Sequence, residues 1–544
     1  MLKNYIQLLK REFKDYSGQK LMKDIMAGLT VAAVALPLAL AFGVSSGADG
    51  AAGLMTAIIA GLLIGTLSGA SYQISGPTGA MSAILIGLSQ AYGLQGVFIA
   101  SFLSGVMLLI ASLFKFGKVV SFIPTSVITG FTSGIAILIL TQQINNFFGV
   151  TSSGTSTLEK LASYFDGRFT PNMTAVLIGL FVVIGMIVYP KKWAQYCPSS
   201  LVMIVLALVA NLIFHFDIAT VGKIPSTLFL DQRLNIMAID WKNISQFVMP
   251  AFSIATLGMI ESLLCGASAG KMKNEPLDAD QELFAQGVGN MIIPFFGGVP
   301  ATAAIARTSV AIKAGGVTRL VSVFHAITLL LAMFILGPFM AKIPLCALAG
   351  VLVVTAWRMN EWDEIKEMFT HRVKTPICQF LLTMVATVVF DLTVAIIVGV
   401  LLAMVLFVLN NTQLSIDMSE VAVDRIDHLN HHHKGTRVIY LAGPLFFGNQ
   451  GQLKKQIEEI IGDSQAIVLS MRGVPSIDDS GIHEIKEVVQ LCKEHNTILY
   501  LSGLQKNVRT QFERVHFIEE FGDNHIFWDA VAAIRNLDDV LQGA

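Results

Sequence analysis

Apolar runs long enough to cross a bilayer follow one another from about residue 22 to residue 410, and then the texture changes. A spanning helix needs about 20 apolar residues. Runs near 24–45, 52–70, 96–114, 124–143, 173–190, 199–216, 247–267, 318–338 and 393–410 meet that need. Shorter or interrupted runs lie near 78–92, 279–296, 301–314, 344–357 and 375–391, which brings the predicted spans to fourteen. Before them, residues 1–20 interleave Lys3, Lys10, Arg11, Lys14 and Lys20 with Tyr5, Ile6, Leu8, Leu9 and Phe13. That pattern predicts a cytoplasmic helix at the membrane surface rather than a secretory signal. Residues 21–410 are then a membrane domain, 411–435 a linker and 436–544 a small α/β domain. In the last, 436–441, 466–471 and 497–501 read as buried strands, while 453–461, 481–494, 505–515 and 528–537 read as amphipathic helices.

Composition sharpens this picture. Hydrophobic residues make up 54% of the 544 and charged residues 14%, against about 25% charged in soluble domains. An ordinary soluble enzyme is excluded, and the net charge of -1 leaves no basic field for nucleic acid. No Walker motif or catalytic triad appears, so no enzyme is expected. The five cysteines (197, 265, 346, 378 and 492) are scattered, which argues against disulfides and a structural metal site. The run Asn430-His431-His432-His433-Lys434 has no acidic or Cys companions and reads as solvated linker. Cofactors are not expected.

Positive charge marks the cytoplasmic side. With the N-terminus inside, Lys115 and Lys118, Lys191 and Lys192, Lys271 and Lys273, and the group Arg358, Lys366, Arg372 and Lys374 all fall in inside loops. Both termini are therefore expected in the cytoplasm, with the chain in the cell inner membrane. Lys313 and Arg319 are expected near an interface, snorkelling to water. Asp391 is expected to N-cap the last span.

Two motifs recur. Ser75-Gly76-Pro77-Thr78-Gly79-Ala80 opens one short apolar run, and Gly297-Gly298-Val299-Pro300-Ala301-Thr302-Ala303 opens another. Downstream, Ile123-Pro124 matches Ile343-Pro344, at intervals of 47 residues from Pro77 and 44 from Pro300. Two halves of seven spans must be inverted in the membrane, the architecture of secondary transporters. A matched pair of Gly/Pro-interrupted segments then marks the binding site. Helices starting near Pro77 and Pro300 would begin at mid-membrane with unpaired N–H groups and positive dipole ends. Such tips bind anions without a charged side chain. The expected donors are Thr78–Ala80 and Ala301–Ala303.

Ionisable residues are rare in the spans, and each costs about 2.5–3.5 kcal/mol at mid-bilayer. Arg307, shortly after Thr302, would add fixed positive charge beside the second tip. Glu261 would repel an anion when ionised, so it is expected to carry a proton when the anion binds. The competing reading is a static Glu261–Arg307 ion pair joining two helices. In the C-terminal domain, Asp478-Asp479-Ser480-Gly481 ends a strand-to-helix loop, where Asp and Ser can cap the helix. Asp479 and Ser480 are candidate regulatory residues.

These residues resemble the SulP anion-transporter family, to which the animal solute carrier 26 transporters belong. The resemblance rests on Ala35-Leu36-Pro37, Gly76-Pro77-Thr78, Glu261–Cys265, Gln286–Asn290 and above all Pro294–Thr308. The tail resembles the STAS domain of that family. The resemblance implies a seven-plus-seven inverted repeat shared with uracil permeases, divided into core and gate. It also implies a homodimer, elevator-type alternating access, and a small anion held between the third and tenth and the first and eighth helices. Pro77 and Phe42 join the binding set on this ground. Leu38 and Phe42 stand where many members carry Gln and Tyr, and the first helix looks more like that of cyanobacterial sodium–bicarbonate transporters. Those use Asp and Thr for sodium in the eighth helix, where this chain has Glu261 and Cys265, and they lack the Arg307 counterpart. The eighth and tenth helices instead look like the proton-coupled sulfate and dicarboxylate branch. Proton coupling is therefore expected, with sodium–bicarbonate symport, anion exchange and STAS-linked sensing as alternatives. A cytoplasmic protein that binds the STAS domain is a further candidate partner. The phosphoacceptor serine of the related anti-sigma antagonists aligns with Asp479.

Overall fold

Small and apolar side chains let the helices of the first unit pack backbone to backbone. The computed structural model describes residues 2–118, 123–152, 157–165, 169–194, 198–235, 237, 241–390, 392–412, 414–420 and 435–542. The chain divides into two units, Met1–Leu401 and Leu402–Ala544. Asp391 and the His431–His433 run lie outside the described residues.

The first unit begins with α1 (Leu2–Glu12), α2 (Gly18–Ser45) and α3 (Gly50–Leu67). A two-residue strand, β1 (Ser75–Gly76), precedes α4 (Gly79–Leu113) and α5 (Thr125–Phe148). Then come α6 (Thr157–Ser163), α7 (Met173–Val188), α8 (Lys191–Ala194), α9 (Ser199–Phe214), α10 (Val248–Lys273) and α11 (Ala279–Ile292). A second short strand, β2 (Thr302–Ala303), leads into α12 (Ile305–Lys313), α13 (Leu320–Met340), α14 (Leu345–Met359), α15 (Trp362–Thr370) and α16 (Lys374–Val389), and the boundary between the units falls within α17 (Leu392–Asn411).

Helix covers each of the fourteen apolar runs. The runs at 78–92 and 96–114 are joined as α4, which breaks at Gly93, where φ is 67°. That left-handed backbone is open to Gly at little cost. Among the described residues, six helical segments are long and apolar enough to cross a membrane, and α7, α9, α14, α16 and 397–409 are apolar but shorter.

The helices sort into two bundles. One holds α2, α3, α4, α10, α11, α12 and α13, and the other α5, α7, α9, α14 and α16. In the first, α3 is apolar on every face and accordingly buried. It meets α2 at Gly43 and Gly53, where a Cβ on either would strike the other helix's backbone. In the second, α5 and α14 both follow a proline, Pro124 and Pro344, in near-identical extended conformation (φ -61° and -64°). The recurrence at those prolines is thus structural.

The N-terminal helix is fastened to the first bundle. Tyr5 donates its hydroxyl to the Thr66 carbonyl at 2.6 Å. Glu12 and Arg319 pair at 2.8 Å with side chains 5% and 4% exposed. Arg319 also donates to the carbonyls of Thr66 and Ser68 and sits over the Tyr5 ring. This corrects the snorkelling expected of Arg319: its guanidinium finds three acceptors inside the protein, Glu12 Oε2 and the carbonyls of Thr66 and Ser68, and has no need of water. Beside it, Asp24 accepts from Val317 N–H, Thr318 N–H, the Thr318 hydroxyl and the Tyr16 hydroxyl.

The second unit is a five-stranded sheet in the order β3 (Ser415–Glu420), β4 (Thr436–Ala442), β5 (Ala466–Gly473), β6 (Ile498–Ser502) and β7 (Ile526–Phe527). β3 runs antiparallel to β4 and the rest are parallel. The helices α18 (Gln452–Ile460), α19 (Asp479–Glu494), α20 (Lys506–Arg514), α21 (Phe517–Phe521) and α22 (Ala530–Gln542) complete it. The expected linker 411–435 is corrected at its start, because Ser415–Glu420 forms the edge strand. Ile416 and Met418 alternate onto the apolar core, as a period of two requires. In this unit the buried Glu484 of α19 accepts from Leu453 N–H and Lys454 N–H, capping α18 from a neighbouring helix. Burial pushes its carboxyl above the usual range.

Two outcomes follow. Arg319→Ala strands the buried Glu12 carboxylate and is expected to cost about 3–5 kcal/mol, read as a lower melting temperature of the purified protein. Glu484 binds its proton more tightly folded than unfolded, so its contribution to stability is full below the ordinary Glu value and is lost as pH rises through the raised one. The melting temperature of the purified protein should fall over that window, and Glu484→Gln should flatten the fall.

Candidate functional site

The two Gly/Pro motifs meet. β1 and β2 pair antiparallel, Ser75 opposite Ala303 and Gly76 opposite Thr302. Pro77 and Pro300 account for the shortness of these strands, since proline has no N–H to extend a ladder. Non-helical backbone at membrane depth must be satisfied by protein, and the surrounding helices supply the partners. Ile74 N–H donates to the Thr308 hydroxyl at 3.0 Å, and Ala304 N–H to the Ile74 carbonyl at 3.0 Å. Gln73 Nε2 donates to the Ser262 carbonyl at 2.7 Å.

Glu261 of α10 bridges the crossing. Its Oε2 accepts from the Thr78 hydroxyl and from the Thr302 hydroxyl, both at 2.9 Å. One carboxyl oxygen thereby ties together the tips of both halves. Thr78 also caps α4, accepting from Met81 N–H at 3.3 Å. Among the described residues, Gly79 N–H and Ala80 N–H, the first donors of α4, have no hydrogen-bond partner. Phe42 of α2 borders Gly79, where an added Cβ would lie 3.1 Å from Phe42 Cε1 and would strike Ile139 of α5.

Arg307 is 1% exposed, and its Nη2 donates to the Pro77 carbonyl at 2.5 Å. Its Nη1 is buried without a partner and lies against Gly76, where a Cβ would collide with it. Arg307 therefore holds the first tip from the second half of the chain. The bonds of Glu261 go to threonines and that of Arg307 to a carbonyl, so the two do not form the ion pair weighed above.

The second tip differs from the expectation. Its helix, α12, starts at Ile305 rather than near Pro300. Ala301 N–H donates to Asn290 Oδ1 at 2.7 Å and Ala303 N–H to the Ser262 hydroxyl at 3.2 Å, so these expected donors are engaged. Pairing with β1 keeps 302–303 extended, and the helix can begin only beyond it. Ile305 and Ala306, in its first turn, are exposed.

Two buried residues near the crossing escaped the sequence reading. Glu282 of α11 is 0% exposed, and His325 of α13 is 0% exposed with both ring nitrogens unpartnered. Both lay inside predicted spans, and a count of every ionisable residue in those runs would have found them. In the second unit, Asp478 caps α19, accepting from Gly481 N–H and Phe447 N–H. Asp479 is exposed and Ser480 half-buried at that helix start.

Residues 21–386 match the Sulfate permease family, and residues 429–533 match the STAS domain. The Bacillus subtilis (strain 168) protein named "Putative sulfate transporter YvdB" is 34% identical over 540 residues, covering 95% of this chain and 97% of that one. "Bicarbonate transporter BicA" of Picosynechococcus sp. (strain ATCC 27264 / PCC 7002 / PR-6) is 27% identical, covering 94% of each. The solved transmembrane domain of a cyanobacterium bicarbonate transporter BicA superposes with a TM-score of 0.64 at 27% identity, covering 72% of this chain and 98% of that one. The fold of murine Solute Carrier 26 family member A9, an anion transporter solved in the inward-facing state, matches with a TM-score of 0.85 at 18% identity, covering 97% and 92%. The family match spans most of the membrane unit and the STAS match most of the second, and the chain belongs to the sulfate permease (SulP) family of anion transporters.

Proposed function

We propose that this chain is a secondary active transporter that carries a small anion together with a proton across the cell inner membrane. The observation that carries the reading is the Glu261 carboxyl, hydrogen-bonded to Thr78 and Thr302 where β1 and β2 cross. The anion sits against Gly79 N–H and Ala80 N–H at the positive end of α4, with Phe42 beside it and Arg307 adding charge. Pro77, Ala301, Thr302 and Ala303 shape the wall rather than donate to the anion. Two like charges about 4 Å apart repel by about 4 kcal/mol at an effective dielectric of 20. An anion beside Glu261 therefore enters with a proton on that carboxyl, and the pair leaves together.

The bundle carrying the crossing acts as the moving core and the bundle of α5, α7, α9, α14 and α16 as the gate, in elevator-type alternating access. The fourteen helical runs span the membrane in two inverted halves, with both termini in the cytoplasm and the protein a homodimer. The STAS domain offers the α19 start, with Asp479 and Ser480, to a cytoplasmic partner, and a phosphate on Ser480 would lie at a helix N-terminus. Sulfate, dicarboxylate and bicarbonate are the candidate anions. The names of the relatives favour sulfate and bicarbonate. The bicarbonate relatives also support a second reading, sodium-driven bicarbonate symport.

Uptake of labelled sulfate, succinate and bicarbonate into proteoliposomes, under imposed proton or sodium gradients, separates these readings. Proton-driven accumulation is expected, and a sodium requirement would favour the second. Glu261→Gln should abolish proton-driven accumulation while leaving anion exchange; undiminished accumulation removes Glu261 from coupling. Gly76→Ala should lower uptake about tenfold or more, because its Cβ displaces the Arg307 guanidinium from a charge-assisted bond. Wild-type rates in that variant would show that Arg307 does not hold the first tip during transport.

A further inference from the structure

Glu282 takes no part in the chemistry above, yet it is wholly buried in the membrane unit. Burying a carboxyl is costly unless it is hydrogen-bonded. Its three partners are all donors. Ser68 donates its hydroxyl at 2.5 Å and Gly69 its N–H at 3.1 Å, both to Oε2, at the end of α3. Gln286, one turn along α11, donates Nε2 to Oε1 at 2.9 Å. The same Nε2 donates to the Ser75 hydroxyl at 2.9 Å. Ser75 is the first residue of β1 and faces Ala303 of β2. Ser68 also offers its carbonyl to Arg319, in the clamp that holds α1.

A continuous chain therefore runs from the α1 end of the core to the strand crossing: Arg319, Ser68, Glu282, Gln286, Ser75. One carboxyl oxygen meets a side-chain N–H and the other a backbone N–H and a hydroxyl, and a carboxyl can accept at both oxygens where an amide accepts at one. Glutamine at 282 must turn its NH2 toward one donor set. Keeping two bonds at Ser68 and Gly69 turns that NH2 against Gln286 Nε2, so the bond is broken or Gln286 flips its amide to the unpartnered Oε1, and either way the Nε2 donor that holds Ser75 is withdrawn.

We propose that Glu282 is a positioning residue for the anion site, fixing β1 through Gln286 so that Thr78 and the open α4 donors stay in place. This rests on the site proposed above. The test uses the full chain in proteoliposomes and two measurements. First, amide exchange across 74–76 and 302–304 should quicken in Glu282→Gln, while α13 exchange stays as in the wild type. Second, the KM for labelled sulfate or bicarbonate, whichever the wild type carries, should rise about three- to tenfold, the worth of one lost buried hydrogen bond. The maximal rate should change less. Ser75→Ala should give a similar KM rise, and the double variant no more than either alone, because both cut one chain.

Unchanged exchange at the strands in Glu282→Gln overturns the inference, as do an unchanged KM or shifts that multiply in the double variant. A uniform rise in exchange across the core would mark a general fold defect and also overturn it. If the wild type carries none of the anions while the strands still loosen selectively, the transport reading falls and the positioning of β1 by Glu282 stands.

Discussion

A membrane offers no water to an unpaired backbone group, so extended chain at mid-bilayer survives only if protein satisfies it. The rest of the membrane unit depends on how this constraint is met at 73–78 and 300–304. Two strands of two residues each satisfy part of one another. The remainder falls to Ser262, Asn290 and Thr308, on α10, α11 and α12. Three helices must therefore converge on one point, and Glu261 can reach both threonines only because they do. The same convergence leaves α4 with a capped but open first turn. The crossing is thus the structural knot of the core.

Close packing makes that knot specific. Gly76 leaves room for Arg307, and Gly79 for Phe42 and Ile139. Arg307 comes from the second half of the chain and holds the carbonyl of Pro77 in the first, so neither tip is fixed without the other. At the α1 end of the same bundle, Asp24 and the Glu12–Arg319 pair bind the termini of several helices with buried charge. Buried pairs are weak evidence for stability, but breaking one leaves an uncompensated charge. They tie α1, α2, α3 and the start of α13 to one another.

Much of this was legible in the chain. The Gly/Pro motifs identified the crossing because only proline and glycine interrupt an apolar run so consistently, and Glu261 and Arg307 stood out as charges in apolar surroundings. Glu282 did not stand out. It follows Asp280 and Gln281 at the polar start of a run, where a carboxylate reads as a helix-start residue. Arg319 reads as interfacial for a similar reason, and only its contact with Glu12, more than three hundred positions earlier in the chain, reveals it as internal. The strand Ser415–Glu420 was missed although Ile416 and Met418 alternate correctly, because its Ser, Asp and Glu residues mimic a linker.

Hydropathy and the order of residues were enough to set the helical runs, the doubled motif and the small α/β tail. Each of these is local, or a repetition along the chain, and needs no knowledge of what lies opposite. The partners of buried polar atoms were decided by three-dimensional packing. That Ala301 and Ala303 spend their N–H groups on Asn290 and Ser262, that α12 waits until Ile305, and that Glu261 joins two threonines rather than Arg307 all follow from which helix faces which. A hydrogen bond acts over about 3 Å, and sequence separation carries no such distance.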